Sequence, residues 1–186
     1  MDFKITLATK ITIMRIIVVP FIIISIIRQD WGMALGLTIF AGLSDILDGK
    51  LARIRNEKSL LGSVLDPLAD KFLILSCYYT LSVYEKGYFI IPKWFFLLVL
   101  LKELILILSA GLFLNKNYVK IEPVNSGKAA MMSQTFLLNI IFLLNYLKLY
   151  LVNIYFALFC FSLFLVLLSL YQYAKIGIKQ LILYKV

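Results

Sequence analysis

The chain has 186 residues, 62% of them hydrophobic and only 16% charged, with a mean hydropathy of +0.96 and a formal net charge of +9. A soluble domain of this length is about half apolar, so the composition excludes an ordinary soluble or disordered chain and points to an all-α integral membrane protein. Histidine is absent and the two cysteines, Cys77 and Cys160, lack ligand spacing; this excludes an imidazole base, a Ser-His triad, a zinc site and a disulfide framework.

Hydropathy predicts six spans, at about 10 to 28, 33 to 54, 60 to 84, 92 to 114, 127 to 145 and 150 to 172, forming one domain over 1–186. The first follows Lys4 and Lys10, contains Arg15 and Pro20, and lacks a small-residue cleavage site, so it reads as a retained span and not a signal peptide. Pro20 is expected to kink it. Turn-type stretches separate the spans, and an even number of spans puts both termini on one side. Thirteen of the 19 basic residues fall on the side of the termini and of the second and fourth connections, against four on the other. The positive-inside rule therefore makes the termini cytoplasmic. Attraction of the same lysines to anionic lipid accounts for the net charge without nucleic acid.

Between spans two and three the apolar pattern is interrupted. Five of the chain's ten carboxylates lie between Ser44 and Lys71: Glu57, Asp45, Asp48, Asp66 and Asp70. Asp45 and Asp48 are three apart and Asp66 and Asp70 four apart, so each pair shares a helical face. Two such faces turned toward each other make a four-carboxylate site near the cytoplasmic interface. Carboxylates so close repel strongly and are either partly protonated or neutralised by cations. All-oxygen ligation suits Mg²⁺ or Mn²⁺, and two ions among four carboxylates are the arrangement that clamps phosphoryl oxygens during in-line displacement. Gly49 and Ala52 leave one face almost without side-chain bulk, and Gly62 similarly thins the facing helix. Arg53 and Lys50 add the positive charge that a diphosphate needs. Acids for metal, small residues for a flat group and an arginine for phosphate together describe a nucleotide-diphosphate site.

The stretch fits D-x-x-D-G-x-x-A-R-x8-G-x3-D-x3-D at Asp45, Asp48, Gly49, Ala52, Arg53, Gly62, Asp66 and Asp70. It resembles the signature of the CDP-alcohol phosphotransferases. Thr12, Arg15 and Pro20 resemble that family's T-x-x-R-x4-P first span, and Asp66-Pro67-Leu68-Ala69-Asp70-Lys71 is typical of its phosphatidylglycerophosphate and cardiolipin synthase branches. The resemblance implies that Asp45, Asp48, Asp66 and Asp70 hold two divalent ions, with Asp70 as general base. It implies a CDP pocket of Gly49, Ala52 and Arg53 with Asp45 and Asp48, joined by Thr12. The implied reaction is attack of an acceptor hydroxyl on the lipid-side phosphorus of CDP-diacylglycerol, releasing CMP, by a homodimer in a bacterial-type cytoplasmic membrane.

For the acceptor, the resemblance puts glycerol 3-phosphate first and phosphatidylglycerol, the cardiolipin synthase acceptor, second. Lys102-Glu103 stands where phosphatidylglycerophosphate synthases have Arg-Glu, and a lysine keeps the charge without the bidentate fork. The stretch from Ile121 to Lys128 resembles the P-x3-G-K opening of span five, where Lys128 binds acceptor phosphate or serves as an interface anchor. Tyr171-Gln172-Tyr173 leans toward the cardiolipin synthase type. Arg15 has two readings, snorkelling to the interface and binding the acceptor phosphate. A membrane prenyltransferase and a transporter are the more distant alternatives. The first carries its aspartate clusters farther apart, and the second needs no Gly49, Ala52 and Arg53 at these spacings.

Overall fold

A computed structural model of the chain describes the backbone of residues 7–55, 60–114 and 125–183 and the side chains of residues 12–44, 68–106 and 125–176. Among the described residues all regular structure is helical: α1 (Leu7–Arg28), α2 (Trp31–Arg55), α3 (Leu60–Tyr84), α4 (Lys93–Leu114), α5 (Asn125–Leu147) and α6 (Val152–Leu183). The six predicted spans map one to one onto these helices. α6 is the exception in length, since it runs eleven residues past the expected end at 172. No proline falls between Tyr171 and Leu183, and the helix runs on through Gly177 in a tail, Ala174 to Leu183, that carries Lys175 and Lys179. α1 is unbroken through Pro20.

Two compact units are present, one of Met1–Ile91 with Leu138–Tyr150 and the other of Pro92–Leu137 with Leu151–Val186. In the first, α1 packs on both α2 and α3. The face of α1 that does so is Thr12, Arg15, Val19, Ile22 and Ile26, all buried. Their alternating spacing of three and four is that of a helix seam. α3 contributes Ala69, Leu73, Ile74, Cys77, Tyr78 and Leu81, again at helical spacing. The opposite face of α1 leaves Ile13, Ile17, Phe21 and Ile24 exposed. Contiguous apolar exposure of this kind is unfavourable in water and favourable against lipid.

The first, third and fifth connections meet at one end of this unit. α1 ends with Gln29 N–H donating to Ile26 O and Asp30 N–H to Ser25 O, and α5 ends with Lys148 N–H donating to Asn145 O and Leu149 N–H to Leu144 O. Each is the paired closure that a left-handed residue after the last helical turn permits. Gln29 (φ 64°), Glu85 (φ 42°) and Lys148 (φ 53°) adopt it without being glycine. Asn145 ties the ends together: its Oδ1 accepts from the Tyr88 and Phe89 amides at 2.7 and 3.3 Å, and its Nδ2 donates to Phe89 O and Ile141 O. Trp31 meets Phe142, and Tyr88 meets Tyr150 edge-on at 4.6 Å. A hydrogen bond with Tyr88 raises the Tyr150 phenol above its ordinary range.

In the second unit α4 packs on α6. Phe159 of α6 is buried against Phe95, with ring centroids 4.8 Å apart, and against Trp94 and Tyr155. α5 and α6 approach closely at their polar ends. A Cβ on Gly127 would lie 2.5 Å from the Tyr173 hydroxyl oxygen, and Ser126 Oγ donates to Gln172 Oε1 at 2.7 Å. Among the described residues, Asn125–Leu147 and Val152–Ile176 are long and apolar enough to cross a membrane.

Candidate active site

The helical backbone of α2 runs through Asp45, Asp48, Gly49, Ala52 and Arg53, and that of α3 through Gly62, Asp66 and Asp70. The same-face spacing expected of the two aspartate pairs therefore rests on continuous helix. Of these residues Asp70 alone lies within the described side chains; Asp45, Asp48, Gly49, Ala52, Arg53, Gly62 and Asp66 are outside them.

Asp70 sits on the α1-facing side of α3, next to the buried Ala69 and one turn before Leu73 and Ile74. Its Oδ1 is 2.6 Å from Arg15 Nη1, an ion pair in which the Arg15 side chain is 2% and the Asp70 side chain 27% exposed. A charge-assisted bond of this length is strong, and a buried guanidinium requires such a partner. The sequence placed Arg15 either at the interface or on an acceptor phosphate; the structure gives it Asp70. Thr12, three residues earlier, is buried on the same face of α1. Asp70, partly open on a helix wall, offers the carboxylate oxygen that a hard divalent ion takes, and the other three carboxylates lie outside the described side chains.

The other polar cluster is in the second unit. Lys102 on α4 is 1% exposed; its Nζ is 2.8 Å from Glu103 Oε1 and donates to Gln134 Oε1 of α5 at 3.3 Å. Neighbouring residues on a helix point about 100° apart, so both α4 side chains bend toward one another to meet. The ammonium is thus surrounded by a carboxylate and an amide. Gln134, fully buried, was not foreseen; its signal was an amide inside an apolar run. Lys128, in the first turn of α5, is exposed. Beside it, Gly127 and Ser126 rest on Tyr173 and Gln172, so the two stretches singled out for acceptor choice touch each other.

The profile of the CDP-alcohol phosphatidyltransferase family matches residues 5–168. The chain belongs to this family. Among relatives in it, a cardiolipin synthase (CMP-forming) of Streptomyces coelicolor is 35% identical over 135 residues, covering 69% of this chain and 61% of the relative. The human cardiolipin synthase (CMP-forming) is 45% identical over 78 residues, 41% of this chain and 26% of that protein. A CDP-diacylglycerol–glycerol-3-phosphate 3-phosphatidyltransferase of Aquifex aeolicus is 37% identical over 122 residues, 63% of this chain and 65% of the relative. The chain thus spans less than two thirds of each. For a CDP-alcohol phosphatidyltransferase, the match from residue 5 onward takes in both Arg15 and Asp70.

Proposed function

We propose that this chain is a phospholipid-synthesising enzyme that transfers the phosphatidyl group of CDP-diacylglycerol to a glycerol hydroxyl, releasing CMP. The observation that carries the reading is the family match over residues 5–168 together with the unbroken helices on which the aspartate signature sits.

In this reading 1–186 is one membrane domain of six spans with cytoplasmic termini, working as a homodimer in a bacterial-type cytoplasmic membrane. The alternation of spans is supported by the meeting of the first, third and fifth connections at one end of the first unit. Asp45, Asp48, Asp66 and Asp70 hold two Mg²⁺ or Mn²⁺ ions. When bound, the ions supply charge that steadies the diphosphate oxygens during displacement. Gly49 and Ala52 give the cytidine a flat backbone surface, Thr12 contacts the nucleotide, Arg53 takes the diphosphate as a fork, and Gly62 keeps the opposite helix thin. Asp70 receives the proton of the acceptor hydroxyl as its oxygen bonds to the lipid-side phosphorus. The bond from that phosphorus to the bridging oxygen breaks, its electron pair leaves with CMP, and the proton passes from Asp70 to water.

Glycerol 3-phosphate and phosphatidylglycerol both present a glycerol hydroxyl beside a phosphate, and the relatives carry names of both types. Glycerol 3-phosphate is the acceptor first expected from the sequence. The cardiolipin synthase reading, with phosphatidylglycerol, is favoured by Lys102: its ammonium is already matched by Glu103 and lacks the fork that holds a phosphate monoester bidentately. Lys102 and Lys128 are the acceptor-side cations in either case. The test is CMP release from labelled CDP-diacylglycerol by purified protein, with glycerol 3-phosphate, phosphatidylglycerol, serine and inositol as acceptors, with and without a chelator. Chelator-sensitive CMP release with one glycerol acceptor is expected, and no CMP with any of them overturns the reading.

A further inference from the structure

We propose that Arg15 is a positioning residue that acts through Asp70, fixing the carboxylate that takes the acceptor's proton, and does not itself bind substrate. The proposal rests on the reading of Asp70 as the base.

Three observations carry it. The pair is asymmetric, with the guanidinium 2% exposed and the carboxylate 27% exposed. An incoming ligand therefore meets Asp70, with Arg15 behind it. Arg15 also lies on the buried seam of α1 between Thr12 and Val19, the face packed on α2 and α3, so its side chain is held by packing on both sides. Finally, the 2.6 Å contact joins residues 55 apart in sequence. The direction of Asp70 is consequently set by the packing of α1 on α3 as well as by its own rotamer. A carboxylate whose proton-accepting oxygen must meet one hydroxyl loses rate steeply when misplaced, and a carboxylate near a metal is commonly oriented by a partner behind it.

Geometry along the helices agrees. Arg15 is 13 residues before the end of α1 and Asp70 is 14 before the end of α3, so each is about 20 Å from the end where the connections meet. The pair is level on two parallel helices. A carboxylate packed against a helix seam is unfavourable alone, and the buried Arg15 guanidinium bonded to it stabilises it before any ion binds.

The experiment compares the parent with Arg15→Gln, Arg15→Lys, Asp70→Asn and the Arg15→Gln/Asp70→Asn double variant in nanodiscs. It measures kcat, acceptor KM, Mn²⁺ affinity by the signal of free Mn²⁺, and thermal midpoint. Arg15→Gln is expected to lower kcat by about 10–100-fold, leaving acceptor KM and Mn²⁺ affinity unchanged. Arg15→Lys should recover part of kcat, because the charge returns without the fork. In the thermal midpoints the double variant should lose less than the sum of the two singles, as a buried ion pair demands. A raised acceptor KM with kcat kept overturns the proposal in favour of substrate binding by Arg15. Joint loss of Mn²⁺ binding and kcat overturns it in favour of a structural role. An unchanged kcat in Arg15→Gln refutes the proposal alone, whereas a parent that releases no CMP refutes the reading of the base on which it stands.

Discussion

At Asp70 a carboxylate is partly open to an incoming molecule, yet one of its oxygens is held at 2.6 Å by a guanidinium. Asp70→Asn keeps the shape and one acceptor oxygen while removing the charge, so the fold and CDP-lipid binding should survive and turnover should not. Turnover below about one thousandth of the parent, the loss expected where a general base contributes 10²–10⁴-fold, is the outcome to look for beside a thermal transition that stays cooperative while its midpoint falls through loss of the Arg15 pair. Lys102 differs because it is shut in with Glu103 and Gln134. Lys102→Ala leaves Glu103 as a buried charge without that ammonium, costing stability by about 3–5 kcal/mol, so loss of acceptor affinity must be read in Lys102→Gln as well. There the acceptor KM is expected to rise far more than that of CDP-diacylglycerol, and steady-state kinetics with each substrate varied in turn checks this.

The helices themselves were legible because each is a long apolar run between polar turns, and α2 and α3 begin and end within two residues of expectation. Their closures were not. The left-handed positions after α1, α3 and α5 are Gln29, Glu85 and Lys148, where a sequence reader looks for glycine. The end they lie at is tied by a tertiary contact as well: Asn145 bonds to the Tyr88 and Phe89 amides 56 to 57 residues away, a pairing no local pattern encodes. Two stability effects of opposite sign follow. Asn145→Ala strands those amides and should destabilise the chain by about 1–3 kcal/mol. Gln29→Gly removes the steric cost of the left-handed backbone and should stabilise it by about 0.5–1 kcal/mol, part of the gain being offset by the freer unfolded chain. Thermal unfolding in detergent, with the parent as reference, measures both. The pairing of Arg15 with Asp70 was also illegible, since either lysine or arginine on several helices has the charge to neutralise an aspartate, and only packing of α1 on α3 selects one.

For the whole molecule, the sequence's argument about sidedness is electrostatic and the structure adds a geometric one. Thirteen of the basic residues fall on one predicted side, while three connections of the first unit converge at the other end through Asn145, Trp31 and Tyr88. If the chain crosses the bilayer six times, that end is external, because positive charge is retained on the cytoplasmic side. Single cysteines introduced into a chain lacking Cys77 and Cys160 report this directly. Tyr150→Cys and Lys86→Cys lie in exposed connections at the converging end, and a membrane-impermeant maleimide added to intact cells should label both. Lys58→Cys, between the two halves of the aspartate signature, should label only after the cells are opened. The reverse pattern would put the aspartates outside, away from cytoplasmic CDP-diacylglycerol, and would remove the topological basis of the proposed reaction even if every helix remained in place.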